Sequence, residues 1–270
     1  MCPAASDIEK VTTYSSVLGL TSVDDELFVL LNQVENEVAV YSINDYQLLR
    51  HLNLPDFKPD GVNDMTSCAQ HKCLYASDMS NSCIHRYDLA SSASSQWQVT
   101  GKPWGLSVTP SCNLLVTCRG ELDKLVELGA DDGQCVREIA LRSEVAYPRH
   151  SVQLTTGKFV VCSGDWGGDL QQVCVVGTDG KVTHIYGGYH SVIEDDKLNR
   201  PSHLAVDKDS QFVFVADAFN DRVVLLSPTL ERVRYVSEDV TQPTRLCFHQ
   251  ATRRLFVGQR GGSFSVIQCE

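Results

Sequence analysis

The chain lacks any long apolar run. Its longest, such as FVVC and VVLL, fall far short of the roughly 20 residues that a membrane helix requires. The opening MCPAASDIEK has no apolar h-region of the signal-peptide kind. A cytoplasmic chain, or an excised piece of a longer one, is expected, with no membrane partner. Paired metal-site cysteines are missing too. The eleven cysteines, at positions 2, 68, 73, 83, 112, 118, 135, 162, 174, 247 and 269, are odd in number and contain no Cys-x-x-Cys, which argues against a zinc ribbon and against a disulfide framework. Cys162, Cys174 and Cys247 sit inside apolar runs and read as small core hydrophobes.

Positive charge is scarce: 23 Lys and Arg stand against 34 Asp and Glu, a net charge of −11. Such a chain repels a phosphate backbone at long range, so no DNA partner is expected and RNA would need a locally basic face. No Walker loop, no Gly-x-Gly-x-x-Gly before a helix and no Gly-x-Ser-x-Gly elbow occurs; Gly164 to Gly168 lies in a turn context. No cofactor is expected. A sustained helical period is also missing, and only Glu194–Leu198 suggests a single turn of helix.

What is present has the character of strands. LFVLL, LLVTC, FVVCS, FVFVA and LFVG are rich in Val, Phe and Leu and bounded by Gly, Asp, Asn and Pro. The residues that end these runs are Asn32, Asp78, Arg119, Asp165, Asp217 and Gln259, at intervals of 46, 41, 46, 52 and 42. A period of about 40 to 50 residues with four strands per unit marks a β-propeller blade. Turns such as Asp131-Asp132-Gly133 and Thr178-Asp179-Gly180 fit the last hairpin of a unit. Counting from Leu18–Val23 gives six units, of which the last ends one strand short at Glu270. The unassigned ribbon Ile8–Tyr14 is expected to complete it, so that residues 1–270 form a single all-β, six-bladed propeller closed by the two chain ends.

The segment LNRPSHLAVDKDSQFVFVADAFNDRVVLLSPTLERV resembles an NHL repeat. Leu204, Ala205, Val206, Asp207, Val215, Ala216, Asp217, Asn220, Arg222 and Val223 carry the match; LYASDMSNSCIHRYD keeps Asp78 and Asn81 but has Cys83 in place of the Arg. By repeat number and length the resemblance covers nearly the whole chain and implies a six-bladed NHL propeller like those at the C-terminus of TRIM-NHL proteins. No RING, B-box or coiled-coil segment lies within these 270 residues, so ligase activity is not expected of them.

The polar turn after Asp217 reads as structural, with an Asp217–Arg222 pair bracing the hairpin. Binding residues are expected on the face made by the loops entering each inner strand and the turns after each second strand. These contribute Asp64, Lys102, Trp104, Tyr147, Arg149, His150, Arg200, His203 and Arg245, joined by Arg119, Asp165, Trp166 and Arg260. Arg with aromatics is the composition of recognition surfaces; the bland alternative is that Pro103, Pro148, Pro201 and Pro243 simply rigidify loops whose neighbouring charges are solvated. A non-catalytic module binding a protein or peptide is the leading expectation. RNA binding through the arginines, with Trp104, Tyr147 and Trp166 stacking on bases, is an alternative. A metal-dependent propeller hydrolase or lyase using Asp64, His150 and His203 is a further one, although no metal site is assigned.

Overall fold

The computed structural model of the chain describes residues 9–32, 37–54, 62–164, 170–188, 196–237 and 239–269. Strand β1 (Glu9–Thr12) is followed by blade 1, made of β2 (Val17–Val23), β3 (Glu26–Leu31), β4 (Glu37–Ser42) and β5 (Leu48–Asn53). Blade 2 holds β6 (Val62–Cys68), β7 (Cys73–Asp78), β8 (Cys83–Asp88) and β9 (Ser94–Gln98). Blade 3 holds β10 (Lys102–Val108), β11 (Leu114–Arg119), β12 (Lys124–Leu128) and β13 (Cys135–Ala140). In blade 4 come β14 (Pro148–Gln153), β15 (Phe159–Gly164), β16 (Gln171–Val176) and β17 (Val182–Gly187), and in blade 5 β18 (Pro201–Val206), β19 (Val213–Asp217), β20 (Arg222–Leu226) and β21 (Arg232–Ser237). Blade 6 consists of β22 (Pro243–His249), β23 (Arg254–Gln259) and β24 (Ser263–Gln268), with β1 as its fourth strand.

Each sheet is antiparallel and four-stranded. The inner strands β2, β6, β10, β14, β18 and β22 neighbour one another in order, and β22 returns to β2. The protein is therefore a six-bladed β-propeller. Six apolar clusters fill the six seams between adjacent blades, the seam between blades 6 and 1 included. Middle strands carry near-continuous apolar sequence because neighbouring blades cover both their faces: β7, β15 and β16 are buried at every residue. Outer strands such as β17 face water on one side and alternate in burial. Burying a side chain such as Phe28, Phe159 or Phe256 contributes roughly 1.5–3 kcal/mol.

Ring closure follows the expectation from sequence. β1 pairs with β24 in the register Glu9↔Val266 to Thr12↔Ser263, a shorter ribbon than Ile8–Tyr14. Gly133 and Gly180 hold the left-handed positions, φ +68° and +75°, in their hairpins. Within the described residues there is no α-helix, and none long and apolar enough to cross a membrane. The expected helical turn at Glu194–Leu198 begins outside them, while Leu198 is buried between blades 4 and 5. The ten described cysteines are free thiols.

Every inner strand opens with the same irregularity, a one-residue bulge after its first residue, or after the second in β10, at Val17/Gly19, Val62/Asp64, Pro103/Gly105, Pro148/His150, Pro201/His203 and Pro243/Arg245. Pro148, Pro201 and Pro243 are thus the first residues of their strands and Pro103 the second of β10, rather than loop stiffeners. A proline has no N–H for a ladder and is accommodated at a strand's first position or a bulge.

Candidate functional site

The shared bulge makes Gly19, Asp64, Gly105, His150, His203 and Arg245 equivalent, one per blade. The side chains of Asp64, His150, His203 and Arg245 meet one another across the ring. Asp64 Oδ2 accepts the Leu106 N–H of blade 3 at 2.9 Å, and Oδ1 accepts the Met65 N–H at 2.9 Å. His150 Nε2 bonds the Leu106 carbonyl at 2.9 Å, and its Nδ1 accepts the Leu204 N–H of blade 5 at 3.3 Å. His203 Nδ1 accepts the Leu246 N–H of blade 6 at 3.3 Å, with Nε2 3.5 Å from Asp64 Oδ1. Arg245 donates from Nε to the Leu18 carbonyl of blade 1 at 2.6 Å and from Nη2 to the Asn63 carbonyl of blade 2, and lies 3.2 Å from Asp64 Oδ1. One side chain per blade, or the space a glycine leaves, thereby stitches all six blades together. Gly105 is required for this: a Cβ there would lie 2.8 Å from the His150 Cα and closer still to the Arg149 carbonyl.

The two imidazoles stack with centroids 3.7 Å apart. Asp64, His150 and His203 bring their ligand-type atoms within 4.8 Å of one another, the arrangement that the metal reading requires. Their hydrogen bonds, however, suit a network. Because each Nδ1 accepts a backbone N–H, each ring carries its proton on Nε2. A cation taken at Nε2 would have to strip that proton while Nδ1 stayed bare, leaving an imidazolate. Burial and the adjoining His203 push His150 down to about 3, and burial pushes His203 down as well, so both rings are neutral at pH 7. Burial opposes charge on Asp64, but the His203 N–H and the Arg245 guanidinium outweigh it and bring the carboxyl down to about 2. The four groups form a neutral-histidine, Asp–Arg plug across the channel. His150 and His203, expected on the loop face, are buried in it.

Beyond the plug, toward the turns that leave the inner strands, the channel widens into a cavity of about 570 Å³. Leu20, Met65, Leu106, Val152, Leu204 and Phe248 contribute apolar wall, and Thr66, Ser67 and Ser107 hydroxyls. Sequence reasoning missed it, because it lies on the side opposite the chosen face.

On the loop face the remaining expected residues form two groups. Trp104, in the bulge of β10, and Tyr147, just before β14, flank Arg119 at the end of β11, whose guanidinium carbon is 4.2 Å from the Trp104 ring centre and 5.4 Å from that of Tyr147. Trp104 is half-buried and Tyr147 is exposed. Asn63 Nδ2 and Ser77 Oγ both donate to the Trp104 carbonyl, at 2.8 and 3.2 Å, and the Tyr147 N–H donates to Asp123 at 3.1 Å, so the stack is held from beneath. Burial lowers the Arg119 pKa. The second group is Arg149, Arg200 and Arg260, around the mouth of blades 4 to 6 beside Arg245. Arg149 donates to the Gly164 carbonyl at 3.1 Å, and Arg200 lies 4.9 Å over the Phe219 ring. Asp165 and Trp166 lie outside the described residues.

No protein-family model matches this sequence, and no curated protein sequence is significantly similar to it. Solved structures do match. A catalytically inactive virginiamycin B lyase from Staphylococcus aureus, crystallised with quinupristin, superposes with TM-score 0.68 over 98% of this chain and 99% of its own, at 10% identity. A protein of unknown function from Bacteroides thetaiotaomicron gives TM-score 0.73 over 98% of this chain and 73% of its own, at 13% identity. Kuenenia stuttgartiensis hydrazine synthase matches with TM-score 0.65 over 93% and 83%, at 11% identity. At such identities the likeness concerns the ring fold and transfers no chemistry.

Proposed function

We propose that this chain is a non-catalytic binding module of the NHL type, taking a protein or peptide on the loop face at the channel mouth. The supporting observation is the Trp104–Arg119–Tyr147 stack. It is a rigid, partly exposed combination of aromatic area and guanidinium donors, held in place before any ligand arrives, so little ordering entropy is lost on binding. The LAVD…VADAFNDRV pattern of blade 5 agrees with the NHL assignment. The plug speaks against the lyase alternative, since its nitrogen lone pairs are committed to backbone amides.

A base-stacking role for the two rings is less favoured, because each already has one face against Arg119. Selection of a displayed peptide library on the purified chain tests the proposal. Enriched peptides are expected to bind the Trp104→Ala/Tyr147→Ala variant at least about tenfold more weakly, the loss of one aromatic hot spot being worth 2 kcal/mol or more. Circular dichroism should show the variant folded. Equal affinity for the folded variant would place binding elsewhere.

A further inference from the structure

Three side chains of the kinds that hold metal ions meet in the hairpin between β7 and β8, apart from the plug. Asp78 ends β7, and Cys83 stands opposite it as the first residue of β8. His85 is two residues further along β8 and so shares that face of the sheet. Its Nε2 lies 3.1 Å from Asp78 Oδ2 and 3.7 Å from Cys83 Sγ, and the three ligand-type atoms all fall within 4.8 Å of one another. Asp78 and Cys83 are fully buried, and His85 is nearly so. Asn81 donates its N–H to Asp78 Oδ1 at 2.9 Å and its Nδ2 to Oδ2 at 2.7 Å, which fixes the carboxylate in place. Because the set is drawn from two paired strands, no linear Cys-x-x-Cys announces it.

Atoms about 2.0–2.3 Å from one zinc ion at tetrahedral angles lie about 3.3–3.7 Å apart. The two His85 separations bracket that range, so an ion needs only small rotations of side chains that already converge. A divalent cation, a thiolate, a carboxylate and a neutral imidazole also sum to zero charge, which suits a position out of solvent. One soft, one borderline and one hard donor favour zinc over calcium and magnesium, which take oxygen ligands. Blade 5 is built differently at the same place. There Arg222 stands where Cys83 does, and meets Asp217 directly at 2.8 Å.

A nucleophilic Cys–His pair is the competing use of the same groups. It needs a carboxylate on the ring nitrogen opposite the thiol, and a thiol open to substrate. Here Asp78 and Cys83 face the same nitrogen, and Cys83 is fully buried. Convergence of all three on one point is the geometry of ligands.

We propose that Asp78, Cys83 and His85 bind one Zn²⁺, with the fourth position left to a water or an incoming donor. The ion takes the place of the proton between His85 and Asp78; the Cys83 thiol gives up its proton, and the ring carries its own on Nδ1. Such an ion cross-links β7 to β8 in a turn of the loop face. The site stands independently of the function proposed above.

The test uses the full chain, freed of metal by chelation and kept reduced, with Co²⁺ as a spectroscopic stand-in for zinc. Co²⁺ is expected to produce a thiolate-to-metal charge-transfer band in the near ultraviolet together with the intense visible absorption of four-coordinate cobalt, and Zn²⁺ to abolish both. Cys83→Ser should lose the charge-transfer band and weaken Zn²⁺ binding by more than the about 10–100-fold that removal of an outer-shell partner costs. His85→Gln keeps a donor for Asp78 but no imidazole; circular dichroism should show it folded, with the visible spectrum lost, which keeps the test decisive if Cys83→Ser does not fold. Zn²⁺ at about a hundred times its Kd should raise the melting midpoint of the parent by roughly 5–10 °C and leave that of His85→Gln unmoved. A parent without the thiolate band, or a band unchanged in folded Cys83→Ser or His85→Gln, would overturn the site. Loss of the band in Cys135→Ser, which removes an exposed thiol, would assign it to adventitious binding and overturn the site equally.

Discussion

The two channel histidines give single side chains a measurable effect on the whole fold. In the unfolded chain both imidazoles protonate below about pH 6.5, whereas in the folded channel both stay neutral, His150 down to about 3. The unfolded state therefore binds more protons between those limits, and stability falls as pH falls. The contribution of His150 is complete above about pH 6.5 and is lost progressively toward 3, and that of His203 is lost as pH falls from the same upper limit; that of Asp64, whose carboxyl is brought down to about 2, is lost only below about pH 4. Urea unfolding at pH 7 and pH 5 should show a loss of about 2 kcal/mol from His150 and a further loss from His203. His203→Asn, which keeps an acceptor for the Leu246 N–H, should show a smaller difference. A pH-independent free energy over this range would show that the rings are protonated in the folded state. The sequence placed His150, His203 and Asp64 before inner strands; they are equivalent in register but lie inside β14, β18 and β6. The sequence did not show that the bulge brings those side chains together across the ring, since a bulge is a matter of register between two strands and leaves no mark in either one alone.

At the scale of the element, the turn after each second strand shows how a motif survives a missing residue. In blade 5, Asp217 accepts from the Asn199 N–H at 2.7 Å, from Asn220 Nδ2 at 2.7 Å and from Arg222 Nε at 2.8 Å. The structural reading of this turn from sequence agrees with that geometry, and burial, which raises the Asp217 pKa despite those donors, reflects a site fully out of solvent. In blade 2 the arginine position holds Cys83, yet Asp78 is equally enclosed. Asn81 supplies its N–H at 2.9 Å and Nδ2 at 2.7 Å, and His85, two residues further along β8, brings Nε2 to 3.1 Å. The replacement was not legible because residues 83 and 85 share a face of a strand, a relation the linear motif ignores. Asp217→Ala removes the shared acceptor of the Asn199 N–H, Asn220 Nδ2 and Arg222 Nε and should cost about 1–3 kcal/mol. His85→Ala removes one donor of three and should cost about 1–3 kcal/mol. Chemical unfolding measures both, and both variants should bind selected peptides as the parent does; a specific loss of peptide binding would assign the turns a part in recognition.

For the whole molecule, the decisive feature is the seam between blades 6 and 1, where sequence periodicity was sufficient because a unit one strand short and one spare ribbon admit a simple solution. That seam is held at three levels. β1 lies along β24, Val11 packs with Val17, Phe256 and Phe264, and side chains cross from blade 6 to blade 1: Arg245 to the Leu18 carbonyl at 2.6 Å, Thr244 to that of Val17 at 3.4 Å and Arg254 to that of Ile43 at 3.0 Å. Removing residues 1–12 takes away the first level and part of the second, and leaves the crossing bonds. The ring should therefore stay folded but weaker, losing a few kcal/mol at about 1 kcal/mol per ladder bond, which for a domain of this size lowers the melting midpoint by roughly 10 °C. It also uncovers the β24 edge, whose unpaired N–H and C=O groups are a template for another strand. Light scattering should accordingly show concentration-dependent self-association of the truncated chain, reversed by adding a synthetic peptide spanning residues 5–16. A truncated chain that stays monomeric and melts at the parent temperature would mean that β1 is ornamental and that the crossing bonds and apolar seam close the propeller by themselves.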